Sequence, residues 1–481
     1  MDACPFHRMM TPENNVVMPM TPQLKNMETF AADPVAFMKQ LKQEQGDLAR
    51  VDEGPVSVYF VFNAELNKQV LSNATDYHSQ FFAIRGSKRS AQRRLTSGLL
   101  SMNGEAHREH RRLVKNPFSR KGIQQYYDLT VQFAEEMLSE WSVGDVFDVN
   151  EQMTQYMLRV ISAVLFGVDK PEMAFRIGKM IDRWVHYNHE LGPLAFSPNS
   201  QLSDRYSEML DYAEELEKEV AELVQMRHEC GLGNDILSLL IQASEKEGGI
   251  TQEELIGHIT LLFAAGHLTT AHTLTWTLVL LSQHPEIMTQ LHQELHNTYE
   301  GIAPTLEQAE SMPFLERVLK ESMRVLPSSS YSQRMAANST QLGDQQLRPG
   351  SIVIFSQFMT HHSEQYYENP DRFDPDRWLN TNVSPYAYLP FGNGPRMCIG
   401  AALAMQILKV SVPMLLKSFK IEMVPGTQVD ARVISTMLNP MTPIMVQLKP
   451  VSDEYRTTPI HGTVYDLVDF PTGSSQDSKV A

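Results

Sequence analysis

The sequence predicts a mainly α fold with small β-sheets in one large domain, and three observations lead there. Apolar residues recur at three-to-four spacing through 146–168, 204–229, 252–299 and 313–326, the period of helices that bury one face. Short β-rich runs, VSVYFVF at 56–62 and SIVIF at 351–355, lie beside turn formers, the second directly after the Pro-Gly turn of LRPG. No Gly/Ser- or Pro-rich linker interrupts the chain before about Val451, and no internal repeat of about 20–50 residues divides it. The expected organisation is an N-terminal extension at 1–21, one domain at 22–450 and a polar tail at 451–481.

Composition supports a packed interior, with 42% hydrophobic and 20% charged residues. Cys4, Cys230 and Cys398 are too few and too scattered for a disulfide framework or a four-thiolate zinc site, so the expected compartment is reducing and cytoplasmic. The opening MDACPFHRMMTPENNVVMPM has no apolar core of the kind a signal peptide needs. The most apolar stretch, LIGHITLLFAAGHLTTAHTLTWTLVLLS at 255–282, is broken by His258, His267, His272 and several threonines. It reads as a buried helix rather than a membrane anchor.

The formal charge of −16 argues against generic nucleic-acid binding. Between Arg85 and Lys121 the trend reverses, with Glu105 and Glu109 as the only acids among many lysines and arginines. Such a run is a solvated face, a dock for an acidic partner, or a clamp for buried anionic groups.

One short stretch carries chemistry. FGNGPRMCIG, residues 391–400, sets a cysteine among three glycines and a proline. Gly392 and Gly394 permit backbone conformations closed to other residues, and Pro395 removes a donor and fixes a bend. A loop of this kind aims backbone amides inward, and a thiolate held by amides is a soft, electron-rich ligand for iron. The helix-forming run after Gly400 adds the positive end of a helix dipole. Taken alone, the loop would also suit a purely structural cysteine.

The stretch resembles the haem-ligand loop of the cytochromes P450, the haem-thiolate monooxygenases, at Phe391, Gly394, Arg396, Cys398 and Gly400. Further matches follow the family's order. ESMR supplies Glu321 and Arg324 of its E-x-x-R helix, and PDRFDPDRW supplies Arg377, which by that resemblance completes a structural triad. AAGHLTTA resembles the signature of the distal helix, where Ala265 and Gly266 leave space for dioxygen and Thr269 brings a hydroxyl. A buried threonine also commonly bonds the carbonyl one turn back in its own helix. NGEAHREHRR supplies His107 and Arg111, one turn apart, which with Arg334 and Arg396 would hold the haem propionates. One departure stands out: Leu268 occupies the position where the family has an acid before the distal threonine.

The resemblance implies a single-domain P450 fold, one heme b (iron protoporphyrin IX) ligated by Cys398, and monooxygenation of a small organic substrate. No G-x-G-x-x-G unit is present, so electrons are expected from a ferredoxin or flavodoxin with its reductase, delivered to a monomer. Arg112, Lys115, Arg120 and Lys409 are candidates for steering that carrier. Candidate pocket residues are Phe81, Phe82, Trp184, Tyr187, Phe196 and 434–437, with Arg85, Lys88 and Arg89 at its edge. Phenol or aryl coupling or isomerisation by the same haem is the alternative, and a non-catalytic haem- or ligand-binding protein is a third reading.

Overall fold

Thr251 starts the longest helix, Gln252–Gln283, with a reciprocal cap: its hydroxyl accepts the Glu254 N–H while the Glu254 carboxylate accepts the Thr251 N–H. Beyond the first turn the helix is buried almost all round, which makes it the axis of the molecule rather than an amphipathic surface helix. The structure is a computed structural model that describes residues 24–53, 56–79, 86–194, 201–247, 250–452 and 454–471. Helices Val149–Phe166, Pro171–Leu194, Pro313–Val325 and Ala401–Ser418 pack around this central helix. Gly257 allows the closest approach, because a Cβ on Gly98 would strike its carbonyl. There the Leu99 N–H donates to His258 Nδ1 at 3.1 Å. His258 must therefore carry its proton on Nε2, which lies 2.8 Å from His110 Nδ1. The segment ahead of helix Gly104–Val114 is thereby pinned to the axis.

A five-stranded sheet stands at one side, in the order Leu48–Glu53, Val56–Val61, Ile352–Phe355, Ser332–Ala336, Tyr77–Ser79. Only the Val56–Val61 and Ile352–Phe355 pair is parallel. Among the described residues, the helix apolar and long enough to cross a membrane by composition is Ala401–Ser418, not the stretch 255–282, and it is packed inside the protein.

Glu321, fully buried, accepts from Arg324 Nε and Nη2 at 2.9 Å each, Arg377 Nε at 2.8 Å, Trp378 Nε1 at 2.9 Å and the Asp374 N–H at 3.0 Å. Arg324 gives its other N–H groups to the carbonyls of His361, Pro370 and Arg372. The i, i+3 spacing puts the pair on one helix face, and burial turns it into the anchor of the 361–378 segment.

The chain beyond 450 is more than a polar tail. Ile460, Val464, Leu467, Val468 and Phe470 are buried in the main core. The Asp469 N–H donates to the Asp371 carbonyl at 2.8 Å, and Lys39 Nζ reaches the Asp466 carbonyl at 2.9 Å. Residues 454–471 thus strap the Glu321-anchored segment to the N-terminal helix Pro34–Gln45. Sequence reading missed this because the apolar residues are spaced too irregularly for a helix or strand.

Two expectations follow. Glu321→Ala leaves two buried guanidiniums without their anion, at a cost on the order of 3–5 kcal/mol against a total of ~5–15 kcal/mol; soluble folded yield should collapse, and wild-type yield would contradict this. Phe470→Ala should lower stability by about 3 kcal/mol in denaturant unfolding, and an unchanged midpoint would show the strap uncoupled from the core.

Candidate active site

The cysteine loop is built on two left-handed glycines. Gly392 has φ 65° and Gly394 φ 72°, and a Cβ on Gly394 would collide with the Leu71 carbonyl, so glycine is required there by conformation and by space. The Cys398 N–H donates to the Phe391 carbonyl at 2.8 Å and the Met397 N–H to the Gly394 carbonyl at 3.0 Å, closing the loop on itself. Asn393 Nδ2 holds it to the Pro385 carbonyl at 2.9 Å.

Cys398 is accessible, yet burial pushes its thiol pKa up. The accessible surface is that of the residue in its loop, while the protein packed around the thiol raises the cost of charging it. The backbone N–H groups of Gly400 and Ala401 and the Arg111 guanidinium work the other way, favouring thiolate.

Four basic side chains form one cluster that reaches the sulfur through Arg111: His107 feels Arg396, Arg111 and Arg334, and Arg111 acts on Cys398. Arg111 Nη2 donates to the Met397 carbonyl at 2.6 Å. Arg396 Nη2 reaches the Met102 carbonyl and, at 2.6 Å, Asn103 Oδ1, while its Nε is buried without a partner. Arg334 lies in the sheet between Ser79 and Val353, its guanidinium 5.2 Å from the centre of the Phe355 ring. His107 is buried, its pKa pushed down to about 4 by desolvation and by Arg396, Arg111 and Arg334. Burial and Arg396 bring Arg334 down to about 10, and burial and Arg111 do the same for Arg396.

Among the described residues, no ion pair engages Arg111, Arg334 or Arg396. Half-buried cations that depress one another's pKa and have no carboxylate among the described residues suit an external anion. A haem fits this donor set: its two propionates would answer the cations, and the Cys398 thiolate could bind its iron.

On the distal helix, Ala265 is accessible and Thr269 half-buried, four residues apart on one face. Thr269 Oγ1 donates to the Ala265 carbonyl at 2.7 Å. Gly266 is placed differently from its neighbour, since a Cβ there would meet Ile161 Cδ1 at 3.4 Å; its missing side chain eases contact with helix Val149–Phe166 rather than opening the cleft. Leu268 is buried in the main core. His267 faces away, with Nε2 3.0 Å from the Thr154 carbonyl and Nδ1 3.2 Å from Asp182 Oδ1.

The candidate pocket residues are redistributed. Trp184 is fully buried with Nε1 donating to Gln92 Oε1 at 2.7 Å, and Tyr187 packs with Leu191 and Met209; both are core rather than lining. Lys88 and Arg89 are exposed, and Phe81, Phe82, Arg85 and Phe196 lie outside the described residues. The basic run also divides. Arg111 points inward, Arg94 pairs with Glu217 and Arg120 with Glu310, and Lys409, expected to steer a carrier, is bound to Glu316 at 3.0 Å. Asn103 was not legible as a site residue: it holds Arg396 and bonds both backbone groups of Ser79, a tertiary role without a local pattern.

The family model for cytochrome P450 matches residues 12–448. The chain is 29% identical over 408 residues to cyclooctat-9-en-7-ol 5-monooxygenase of Streptomyces melanosporofaciens, covering 82% of this chain and 86% of that protein. It is 27% identical over 420 residues to pentalenene oxygenase of Streptomyces avermitilis, covering 85% and 91%. The heme domain of cytochrome P450DA superposes with a TM-score of 0.78 at 22% identity, over 90% of this chain and 96% of that one. The retinoic acid-bound cyanobacterial CYP120A1 gives 0.75 at 22% identity, over 88% and 96%. A thiol loop beside a cluster of cations thus meets a family match along nearly the whole sequence, and the chain belongs to the cytochrome P450 family.

Proposed function

We propose that this P450 monooxygenase carries heme b on Cys398 and inserts one oxygen atom into a small, largely apolar molecule of specialised metabolism. The other oxygen atom leaves as water, with two electrons and two protons consumed. The observation that carries the reading is the accessible Cys398 beside the cluster of Arg111, Arg334, Arg396 and His107, whose arginines have no carboxylate partner among the described residues. The names of the Streptomyces relatives support the substrate class.

When bound, the haem would supply dioxygen activation, to which the Cys398 thiolate would lend electron density. The protein would do the rest. Amides of Gly400 and Ala401 favour the thiolate, Arg111, Arg334, Arg396 and His107 would hold the propionates, and Thr269 Oγ1 offers a hydroxyl one turn from Ala265. Electrons come from a ferredoxin or flavodoxin, and the protein works as a cytoplasmic monomer. Lys115 and Lys121 are exposed on the segment that packs against the cysteine helix, where Gln406 Nε2 donates to the Ile123 carbonyl at 3.0 Å. They suit an acidic carrier better than Lys409.

The reduced carbon monoxide complex should show the red-shifted Soret band of thiolate ligation, and Cys398→Ser should lose it while Cys4→Ser and Cys230→Ser keep it. A band surviving in Cys398→Ser would overturn the ligand assignment. Leucine at 268 has no proton to give and is packed in the core, so Leu268→Glu should lower the yield of folded, haem-loaded protein, whereas Thr269→Ala should keep that yield and lower the ratio of product to reducing equivalents. Haem content, product yield and peroxide release measure these; a ratio unchanged in Thr269→Ala would place the proton path elsewhere. Product lacking isotopic oxygen from labelled dioxygen would favour coupling or isomerisation instead.

A further inference from the structure

Asn103 occupies a helix-capping position and does not cap. It precedes helix Gly104–Val114 with extended backbone, yet its side chain makes no bond to the helix's own N–H groups, where an asparagine at this position ordinarily places its oxygen. The amide is used across the fold instead. Oδ1 accepts the Ser79 N–H at 2.7 Å and Arg396 Nη2 at 2.6 Å, and Nδ2 donates to the Ser79 carbonyl at 3.1 Å. The Ser79 backbone dictates which end accepts and which donates, so the amide has one orientation.

These bonds tie the cation cluster together. Ser79 stands opposite Arg334 in the sheet, so its two bonds to Asn103 set the strand Tyr77–Ser79, and with it Arg334, against the start of the helix. The Asn103 carbonyl accepts the His107 N–H at 3.4 Å, and Arg111 follows one turn later on the same helix face. Arg396 is the direct contact. Its Nη2 gives one proton to Asn103 and the other to the Met102 carbonyl, while Nε stays buried without a partner. The guanidinium is thus gripped through one nitrogen, and by neutral oxygens.

Neutrality matters here as much as position. An aspartate of the same shape would set a carboxylate oxygen against the Ser79 carbonyl, with no proton between them, and would neutralise Arg396 from within the protein. Asparagine accepts from two donors, donates to one acceptor and adds no charge.

We propose that Asn103 is a positioning residue for the haem: it presets Arg396 relative to the Arg334 strand and the His107 helix, and by staying neutral it leaves the guanidinium's charge to a propionate. The proposal rests on the reading that Cys398 ligates the haem iron and that the cations hold its propionates.

The test compares haem-loaded wild type, Asn103→Asp, Asn103→Ala and Arg396→Ala by two readouts, the rate of haem transfer to excess apomyoglobin and the reduction potential of the haem. Asn103→Asp closes an ion pair with Arg396, so haem should leave about tenfold faster or more, the range of one charge-assisted hydrogen bond. Its potential should also fall, because an added negative charge opposes electron uptake. Asn103→Ala frees Arg396 without adding charge, so haem should leave about three- to tenfold faster while the potential stays at the wild-type value. A merely structural role would speed release in both variants and leave the two potentials equal. That equality, or wild-type release in both variants, would overturn the proposal. Should Asn103→Asp yield no folded protein, the release rate of Asn103→Ala decides alone, and a wild-type rate overturns it. Arg396→Ala separates the proposal from the reading beneath it. Unchanged release in Arg396→Ala, or a wild type without the red-shifted carbon monoxide band, fails the haem reading; faster release in Arg396→Ala with wild-type behaviour in both Asn103 variants fails only the role of Asn103.

Discussion

Glu321 is one carboxylate with no contact with solvent, and the position of the cysteine loop depends on it. Burying an ionised carboxylate alone is prohibitive, but five N–H donors from separate stretches of chain converge on this one. Ionised and satisfied, it fixes each donor's segment relative to the others. The connection continues through His361, whose Nδ1 lies 3.2 Å from the Arg324 carbonyl and whose Nε2 accepts the Leu389 N–H at 2.8 Å. A ring nitrogen that accepts from an amide has no proton, so His361 is neutral, in keeping with a pKa pushed down to about 3 by burial and by Arg324. The Leu389 carbonyl in turn accepts the Gly392 N–H at 3.0 Å. An unbroken line of bonds thus runs from a helix carboxylate to the loop that carries the thiol.

The second polar centre has the opposite character. Around Cys398 the cations are held by carbonyls, an asparagine and an aromatic ring, and like charges depress one another. The fold carries that repulsion because each cation is tied to neutral acceptors: Arg111 to the Met397 carbonyl, Arg396 to Asn103, and Arg334 to the Gln333 carbonyl. The cost becomes useful when a dianionic cofactor arrives: the donors are already oriented, and little ordering remains to be done on binding. One network is complete and sets geometry, and the other is incomplete and selects what binds.

This division explains what was legible in the sequence. Glu321 and Arg324 were readable as a pair because they sit at a fixed helical offset, where spacing translates directly into direction; Cys398, His107, Arg111 and Arg377 stood out only through their local motifs, since the partners of Arg111 and Arg377 lie far along the chain. Trp184 and Tyr187 were misread as lining because an aromatic residue on a helix has the same pattern whether it faces a cleft or a neighbouring helix. Gly266 shows the same limit: Ala265 is accessible while the open side of Gly266 faces Ile161, a rotation of about 100° that no motif records. The basic run dispersed for a related reason, since net charge says nothing about which carboxylates, such as Glu217, Glu310 and Glu316, the fold brings alongside.

The distal helix joins the two unusual features of the site. With Leu268 in the apolar core and His267 turned toward Thr154 and Asp182, neither residue before Thr269 delivers a proton to it. Thr269 holds one, but on the far side, against the Ala265 carbonyl at 2.7 Å. To pass it forward, the hydroxyl must leave that bond, a net loss of about 1 kcal/mol, and must then be reprotonated. Below it, Thr273 gives its one proton to the Thr269 carbonyl and accepts from Ser328. The replacement must come from water that reaches Thr269, which keeps part of its surface accessible, because a hydroxyl that donates its one proton to a neighbouring acceptor has none left to pass on. With Leu268 turned into the core, the helix keeps a hydroxyl beside Ala265 and leaves its reprotonation to solvent.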